Sequence, residues 1–80
     1  RLVMNVVLNN PVLYVVDYPM LDAVEVIDKR RGLGVLFRDE AARRFRQELR
    51  DVAAAATEMD DFESWIADYG TLMTQPAIYH

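Results

Sequence analysis

The spacing of apolar residues changes at Asp39, and this change limits the possible folds of the 80-residue chain more than any other feature. Before Asp39, short runs rich in valine, leucine, isoleucine, tyrosine and phenylalanine alternate with turn-forming residues, which is typical of β-strands. After it, apolar residues recur at intervals of three and four, as on one face of an α-helix. The sequence therefore predicts a single α+β domain, with an antiparallel sheet in residues 3–37, helix in 39–69 packed on one face of the sheet, and a tail in 70–80.

Turn-forming residues set the expected limits of about four strands, arranged as two hairpins. Pro19 lacks the backbone N–H that a sheet ladder needs, so we expect it to end the second strand. Gly32 is expected to adopt a left-handed conformation in a tight loop over residues 29–32, which joins the third and fourth strands. The expected strands cover residues 3–8, 12–18, 23–28 and 33–37.

The helical half has one apolar stripe, but the spacing alone leaves open whether one helix or two consecutive helices carry it. Asp39 is the expected N-cap of the first helix. A capping box of Asp60 and Glu63 predicts a second helix over residues 61–69, whereas the apolar residues of the same segment also fit a prolonged first helix. We favour two consecutive helices with a bend near residues 57–60. The stripe of the first helix consists of Ala42, Phe45, Leu49, Val52 and Ala56.

The strands in residues 12–16 and 35–37 are apolar at every position. A sheet with one solvated face would instead alternate apolar and polar side chains. One layer of helix covers only one face of a sheet, so the other face needs the C-terminal tail or a second subunit. We therefore expect the chain to form a homodimer.

The net charge of −4 conceals a separation of charge along the chain. Residues 29–50 hold eight bases against three acids, a net +5, while residues 51–80 hold six acids and no lysine or arginine, a net −6. Arginine suits the recognition of phosphate, so one interpretation is a polyanion-binding patch. We favour the other, an arginine-rich face that pairs with the acidic segment of the same or a neighbouring subunit. The candidate polyanion-binding residues are Lys29, Arg30, Arg31, Arg43, Arg44, Arg46 and Arg50.

Residues able to carry catalysis or hold a metal are scarce. There is no cysteine, the single histidine is His80, and the single serine is Ser64 in a helical stretch. These residues do not assemble a nucleophile with its base, or a zinc site. The acids on the strands, Asp17, Glu25 and Asp28, are interpreted as edge or solvent-facing residues. We expect no enzyme activity, no catalytic or metal-binding residues and no cofactor.

The apolar runs are much shorter than the roughly 20 residues that a membrane helix requires. The first residues also lack the apolar segment and cleavage site of a signal peptide. With no cysteine to indicate an oxidising compartment, we expect a cytoplasmic protein without a membrane partner. Met4 is one candidate for the natural start, which leaves open whether residues 1–3 are native.

An apolar stripe with several aromatic residues lies near the end of the helical half. Such a stripe is usually core, but tryptophan and tyrosine are also enriched at protein interfaces. We expect the segment of residues 62–79 to lie at a subunit or partner contact. The candidate interface residues are Phe62, Trp65, Ile66, Tyr69 and Tyr79.

Several stretches together resemble a family of short, uncharacterised proteins of beta-proteobacteria, a domain-of-unknown-function family. The resemblance covers most of the chain, implies a bacterial cytosolic origin, and assigns a function to no residue. It also favours docking of the tail on the domain, for which an added edge strand is one arrangement. The stretches are residues 14–16, 24–30, 45–46 and 72–76, with Phe37, Ala41 and His80.

These observations lead to two hypotheses from different classes. The first is a small, non-enzymatic interaction or structural module that forms a homodimer and binds another protein. The alternative is an accessory factor that binds nucleic acid or another polyanion through the arginine-rich helix and the tip of the hairpin at residues 29–31.

Overall fold

A computed structural model describes residues 3–56 and 58–78. It contains a five-stranded sheet, two helices and two short 3₁₀ turns. Among the described helices, none has the length and apolar character needed to cross a bilayer. The elements are β1 (Asn5–Asn9), β2 (Leu13–Tyr18), a 3₁₀ turn (Pro19–Leu21), β3 (Ala23–Asp28), β4 (Leu33–Arg38), α1 (Asp39–Ala55), α2 (Met59–Ala67), a second 3₁₀ turn (Gly70–Leu72) and β5 (Gln75–Pro76).

The strands lie in the order β1-β2-β3-β4-β5, and every neighbouring pair is antiparallel. The predicted α+β class is confirmed, but the expected number of about four strands is one too few. β5 pairs Gln75 with Gly34 and Pro76 with Leu33. A two-residue strand that contains proline has no recognisable strand pattern, which is why the pattern of residues alone did not indicate it. The tail docks on the domain, as the family resemblance favoured, and the arrangement is an added edge strand.

The hairpin between β3 and β4 has the predicted turn. Gly32 has a φ of +66°, and its N–H donates to the carbonyl oxygen of Asp28 at 2.9 Å. The Asp28 side chain is buried and accepts from the backbone N–H of Arg30 at 3.0 Å, as aspartate often does in turns. These bonds hold the two strands in register along their whole length.

The helical half consists of two helices, as we favoured, but both begin at residues other than those expected. Arg38 occupies the N-cap position, and Asp39 is the first helical residue, with a positive φ of 52°. The N–H of Asp39 is bonded instead to the carbonyl oxygen of Asp22 at 2.8 Å, which anchors the start of α1 to the sheet.

The second helix begins two residues earlier than predicted. The backbone N–H of Glu58 donates to Oδ2 of Asp61 at 3.2 Å, so the reciprocal cap uses these two acids and not Asp60 with Glu63. Extended backbone at Ala56 separates the helices. Because the acidic segment offers several carboxylates at similar spacing, the sequence alone does not distinguish between the two capping pairs.

The sheet is apolar on both faces, as its uninterrupted strands predicted. On the helix face, side chains of β2, β3 and β4 pack with the α1 stripe and with α2 in one core. On the opposite face, called here the back of the sheet, a second buried cluster forms, and Ala77 of the tail packs against it. The members of this second cluster are Tyr14, Val16, Tyr18, Ala23 and Ile27.

Candidate interaction surfaces

The basic residues at the tip of the β3–β4 hairpin all have partners within the chain. Lys29 Nζ donates to Oδ1 of Asn9, and Arg31 Nη1 donates to the carbonyl oxygen of Gly70 at 3.3 Å. Arg30 lies between Asp28, at 3.4 Å, and Glu63 of α2, at 3.1 Å. These bonds therefore connect the hairpin tip to neighbouring elements of the fold. The pair of Arg30 and Glu63 connects the basic and acidic segments, as the favoured interpretation of the charge pattern predicts.

Two arginines of α1 are paired with acids of the sheet half instead of the acidic C-terminal segment. Arg46 donates to Asp17 at 2.8 Å and to Asp22 at 2.9 Å, and Arg43 lies 2.8 Å from Asp22. The hydrogen bond from Arg46 and the charge of Arg43 lower the pKa of the Asp22 carboxyl. The positive charges of Arg43 and Arg46 are therefore largely neutralised by these carboxylates.

The candidate polyanion-binding residues do not form one patch. Asp22, which holds Arg43 and Arg46, precedes β3, whereas Lys29 to Arg31 follow it, so the two groups lie at opposite ends of this six-residue strand. Arg44 and Arg50 are exposed on α1, and Arg50 donates to Oε1 of Gln47 at 3.0 Å.

The candidate interface residues of α2 and of the segment just after it lie mostly inside the domain. Phe62 and Ile66 are buried in the core, while Trp65 and Tyr69 are half-buried. The ring of Phe45 lies 5.1 Å from that of Trp65 and 5.3 Å from that of Tyr69, between centroids. This placement favours the core interpretation of the stripe over the interface one. Tyr79 lies outside the described residues.

A carboxylate fixes the orientation of the two half-buried rings. Glu48 Oε1 accepts from the hydroxyl of Tyr69 and, at 3.4 Å, from Nε1 of Trp65. Burial and the bond to Glu48 both raise the pKa of Tyr69. The polar atoms of this cluster therefore stabilise the packing between α1 and α2.

The strand acids do not converge. Asp17 and Asp28 lie on the helix face and are bonded to Arg46 and Arg30, whereas Glu25 lies on the back of the sheet and accepts from the Tyr18 hydroxyl at 3.0 Å. Burial, followed by this bond, raises the pKa of Tyr18 to about 12. Within residues 3–56 and 58–78, acids and histidines form no group that could hold a metal ion.

Two apolar surfaces remain partly open: one on the face of the sheet that the sequence predicted to need a cover, and one that the sequence did not indicate. The first is on the back of the sheet, where a cavity of about 370 Å³ lies between Leu36, Ile27 and the tail residues Ala77 and Ile78. The second is a groove of about 280 Å³ between β1 and α1. The groove depends on how β1 and α1 pack against each other, so no local pattern in the sequence points to it.

Comparison with known proteins finds matches over nearly the whole chain. A family model described as "Protein of unknown function (DUF3567)" matches residues 3–80. Protein BTH_I0359 of Burkholderia thailandensis, a beta-proteobacterium, is 27% identical over 85 residues, which cover 96% of this chain and 100% of that protein. No solved structure matches significantly. The resemblance drawn from the residue patterns is thereby confirmed.

Proposed function

Because this chain belongs to the DUF3567 family of proteins of unknown function, its role has to be argued from its own surfaces, and we propose that it is a non-enzymatic interaction module. In this proposal the domain forms a homodimer through the back of its sheet and binds another protein. The observation that carries the proposal is the apolar character of that back, which the domain's own elements cover only in part.

The exposed part of the back continues the buried cluster. The strand register places Val6, Val16, Glu25 and Leu36 in one row across the sheet. Val16 is buried, but Val6 at one end of the row is 51% exposed and Leu36 at the other is 43% exposed. Ile78 of the tail, beside Leu36, is 68% exposed. Covering such a surface with a second apolar surface is favourable at about 25 cal/mol for each Å² removed from water.

The charges on the same face suit a symmetric pair. Glu25 of β3 and Arg38 of β4 point to the back, because each lies an even number of residues from Ile27 or Leu36 on its strand. A twofold interface brings the same surface of both copies together. Opposite charges on this surface allow Glu25 of one copy to approach Arg38 of the other, so the two copies need not oppose like charges.

The alternative, nucleic-acid binding, has less support. Phosphate binding requires cations that are free to replace counterions. The hairpin tip and the helical arginines lie at opposite ends of β3, and Arg30, Arg43 and Arg46 are each paired with a carboxylate. The separation of the strand acids likewise supports a role without catalysis.

Sedimentation velocity of the full chain at tens of micromolar tests the proposal. We expect a dimer, and we expect Leu36→Glu to sediment as a monomer while keeping its circular dichroism spectrum. Met59→Glu is the matched control, because Met59 is 41% exposed but lies at the start of α2, where acids are favourable. A wild-type monomer at this concentration, or a Leu36→Glu variant that dimerises like the Met59→Glu control, would contradict the proposal.

A further inference from the structure

We infer that the groove between β1 and α1 binds an extended segment of another protein, which adds to the sheet beside β1, inserts apolar side chains into the groove and places a carboxylate at Arg50. The inference deepens the proposed protein-binding role and does not depend on the dimer. Three independent features support it: an open strand edge, an apolar groove beside it, and the charge at the rim.

The two edges of the sheet differ in how they are protected. β5 has two residues, and one of them, Pro76, has no N–H to offer a further strand. β5 pairs with only Leu33 and Gly34 of β4, and the uncovered end of β4 carries the charge of Arg38. β1 has a bulge at Val7 but neither proline nor charge among its five residues, and Val6 and Val7 are about half exposed, at 51% and 52%. An exposed, uncharged and apolar edge is a template for another strand. Addition of a strand is therefore expected at β1.

The apolar groove lies directly beside this edge. The register of β1 against β2 shifts between Val6 and Leu8, so Val7 is an extra residue in the strand and both Val7 and Leu8 line the groove. Phe45, Leu49 and Ala53 of α1 form the opposite wall. Side chains of a strand alternate between the faces of a sheet. Every second side chain of an added strand therefore points towards the groove, which is the usual arrangement for peptide recognition by strand addition.

The positive charge at the rim of the groove indicates that the ligand also contains a carboxylate. Two arginines of α1 line the groove, and Arg46 is already bonded to Asp17 and Asp22. Within residues 3–56 and 58–78, Arg50 donates only to the neutral amide of Gln47, and no carboxylate lies within ion-pair distance of it. A glutamate or aspartate on the groove side of the ligand forms an ion pair with Arg50.

The same charge argues against a second copy of this chain as the occupant. Pairing of β1 with β1 of another copy continues the sheet and places the two α1 helices on the same face. Arg50 of one copy would then approach Arg50 of the other, and β1 contributes no acid to offset the repulsion. An acidic, extended segment of a different protein avoids this repulsion between two arginines.

Selection from a displayed library of random short peptides, with the full chain as bait, tests the inference. We expect the selected peptides to alternate apolar residues with others and to carry a glutamate or aspartate in register with the apolar positions. Binding of synthetic versions, measured by fluorescence polarisation, should weaken about tenfold in Arg50→Glu, a change equal to about 1.4 kcal/mol. Arg44→Glu, on an exposed part of α1 outside the groove, should retain wild-type affinity.

Methylation of backbone nitrogens in the peptide separates strand addition from binding by side chains alone. Two versions are made, each methylated at alternate residues. In an added strand only one of the two sets of N–H groups faces β1, so one version should lose binding and the other should keep it. Equal binding of both versions, binding that is unchanged in Arg50→Glu, or failure to select any peptide would overturn the inference.

Two further results separate this inference from other possibilities. If single-stranded DNA binds in an Arg50-dependent manner and no peptide does, the surface is a polyanion site and the inference is wrong. If the Leu36→Glu variant binds the peptides as the wild type does, the groove acts without the dimer and the inference is supported. If the wild type is a monomer that binds the peptides, the proposed dimer is wrong and the inference about the groove is supported. If the wild type is a dimer that binds no peptide, the inference about the groove is wrong and the proposed dimer is supported.

Discussion

The guanidinium of Arg46 lies 2.8 Å from Oδ1 of Asp17, which connects the middle of α1 to the end of β2. The same guanidinium donates to Oδ1 of Asp22 at 2.9 Å, in the turn before β3. Both side chains of the first pair are less than one-quarter exposed, at 23% and 21%. One arginine therefore fixes the position of the helix on the sheet at two points.

Replacement of Arg46 by methionine should destabilise the domain. Methionine retains the apolar stem but removes the charge, so that Asp17 and Asp22 lose their partner. Hydrogen bonds to charged groups contribute about 1.5–3 kcal/mol, and we expect the free energy of unfolding in urea to fall by about that amount. Arg44→Met, on the exposed face of α1, should change it by no more than about 0.5 kcal/mol. Similar losses in the two variants would show that the contacts of Arg46 do not stabilise the fold.

Phe45→Ala should have a much larger effect. Phe45 is 1% exposed and its ring contacts those of Phe37, Trp65 and Tyr69. Removal of a buried phenylalanine side chain costs about 3–5 kcal/mol, which is a large fraction of the roughly 5–15 kcal/mol that stabilises a typical domain. We expect the cooperative thermal transition, followed by circular dichroism, to disappear or to move to a much lower temperature.

Met59→Ala is the control for the loss of a large apolar side chain from a helix. Met59 is 41% exposed at the start of α2, so its transition should stay close to that of the wild type. If Phe45→Ala unfolded at the same temperature as Met59→Ala, the aromatic cluster could not be the centre of the core.

Gly34→Ala should destabilise the sheet, because β3 and β4 approach closely there. A Cβ at Gly34 would lie 2.8 Å from the backbone oxygen of Val26, and a backbone atom cannot move aside as the end of a flexible side chain does. Overpacking of this kind costs about 1–3 kcal/mol. Measurement of unfolding in urea checks the expected loss.

Gly32→Asn is the matched control in the same hairpin. Gly32 has a φ of +66°, which asparagine tolerates, and a Cβ there would meet no atom within 4 Å. We expect a loss smaller than that of Gly34→Ala. The opposite order would mean that the conformation of the turn matters more than the spacing of the strands.

High pH should destabilise the domain through Tyr18. The pKa of Tyr18 is raised from 10.0 to about 12 in the folded state, first by burial and then by the bond to Glu25. Because the folded pKa lies above the unfolded value, the stabilisation is fully present below about pH 10 and is lost as the pH rises towards 12. Unfolding in urea at a series of pH values between 9 and about 12 should show this decline.

Tyr18→Phe provides the comparison for the pH series. The variant loses the hydrogen bond to Glu25, so it should be less stable at neutral pH by about 1 kcal/mol. Its decline above pH 10 should be shallower than that of the wild type, although Tyr69, whose pKa is also raised, contributes to the decline in both proteins. Parallel curves for the two proteins would contradict the role assigned to Tyr18.

Individual elements show which parts of the fold the sequence predicts. β3 covers residues 23–28, as predicted, because Pro19 and the 29–32 loop limit it on both sides. The break between the helices was expected, but the residues that cap α2 were not identified, since Glu58 with Asp61 and Asp60 with Glu63 are both pairs of acids three residues apart. The fifth strand was not part of the predicted sheet of about four strands; the family resemblance favoured docking of the tail on the domain, and an added edge strand was one form of this.

The sequence by itself determined that about four strands precede the helical half along the chain, and it determined that the sheet is apolar on both faces. Both properties follow from the spacing of neighbouring residues, which is local. Only the tertiary structure decided that Arg46 pairs with Asp17, 29 residues away, and that the tail covers part of the back of the sheet. The same holds for the groove between β1 and α1. These relationships depend on how elements distant in sequence pack together, and residue spacing carries no information about that packing.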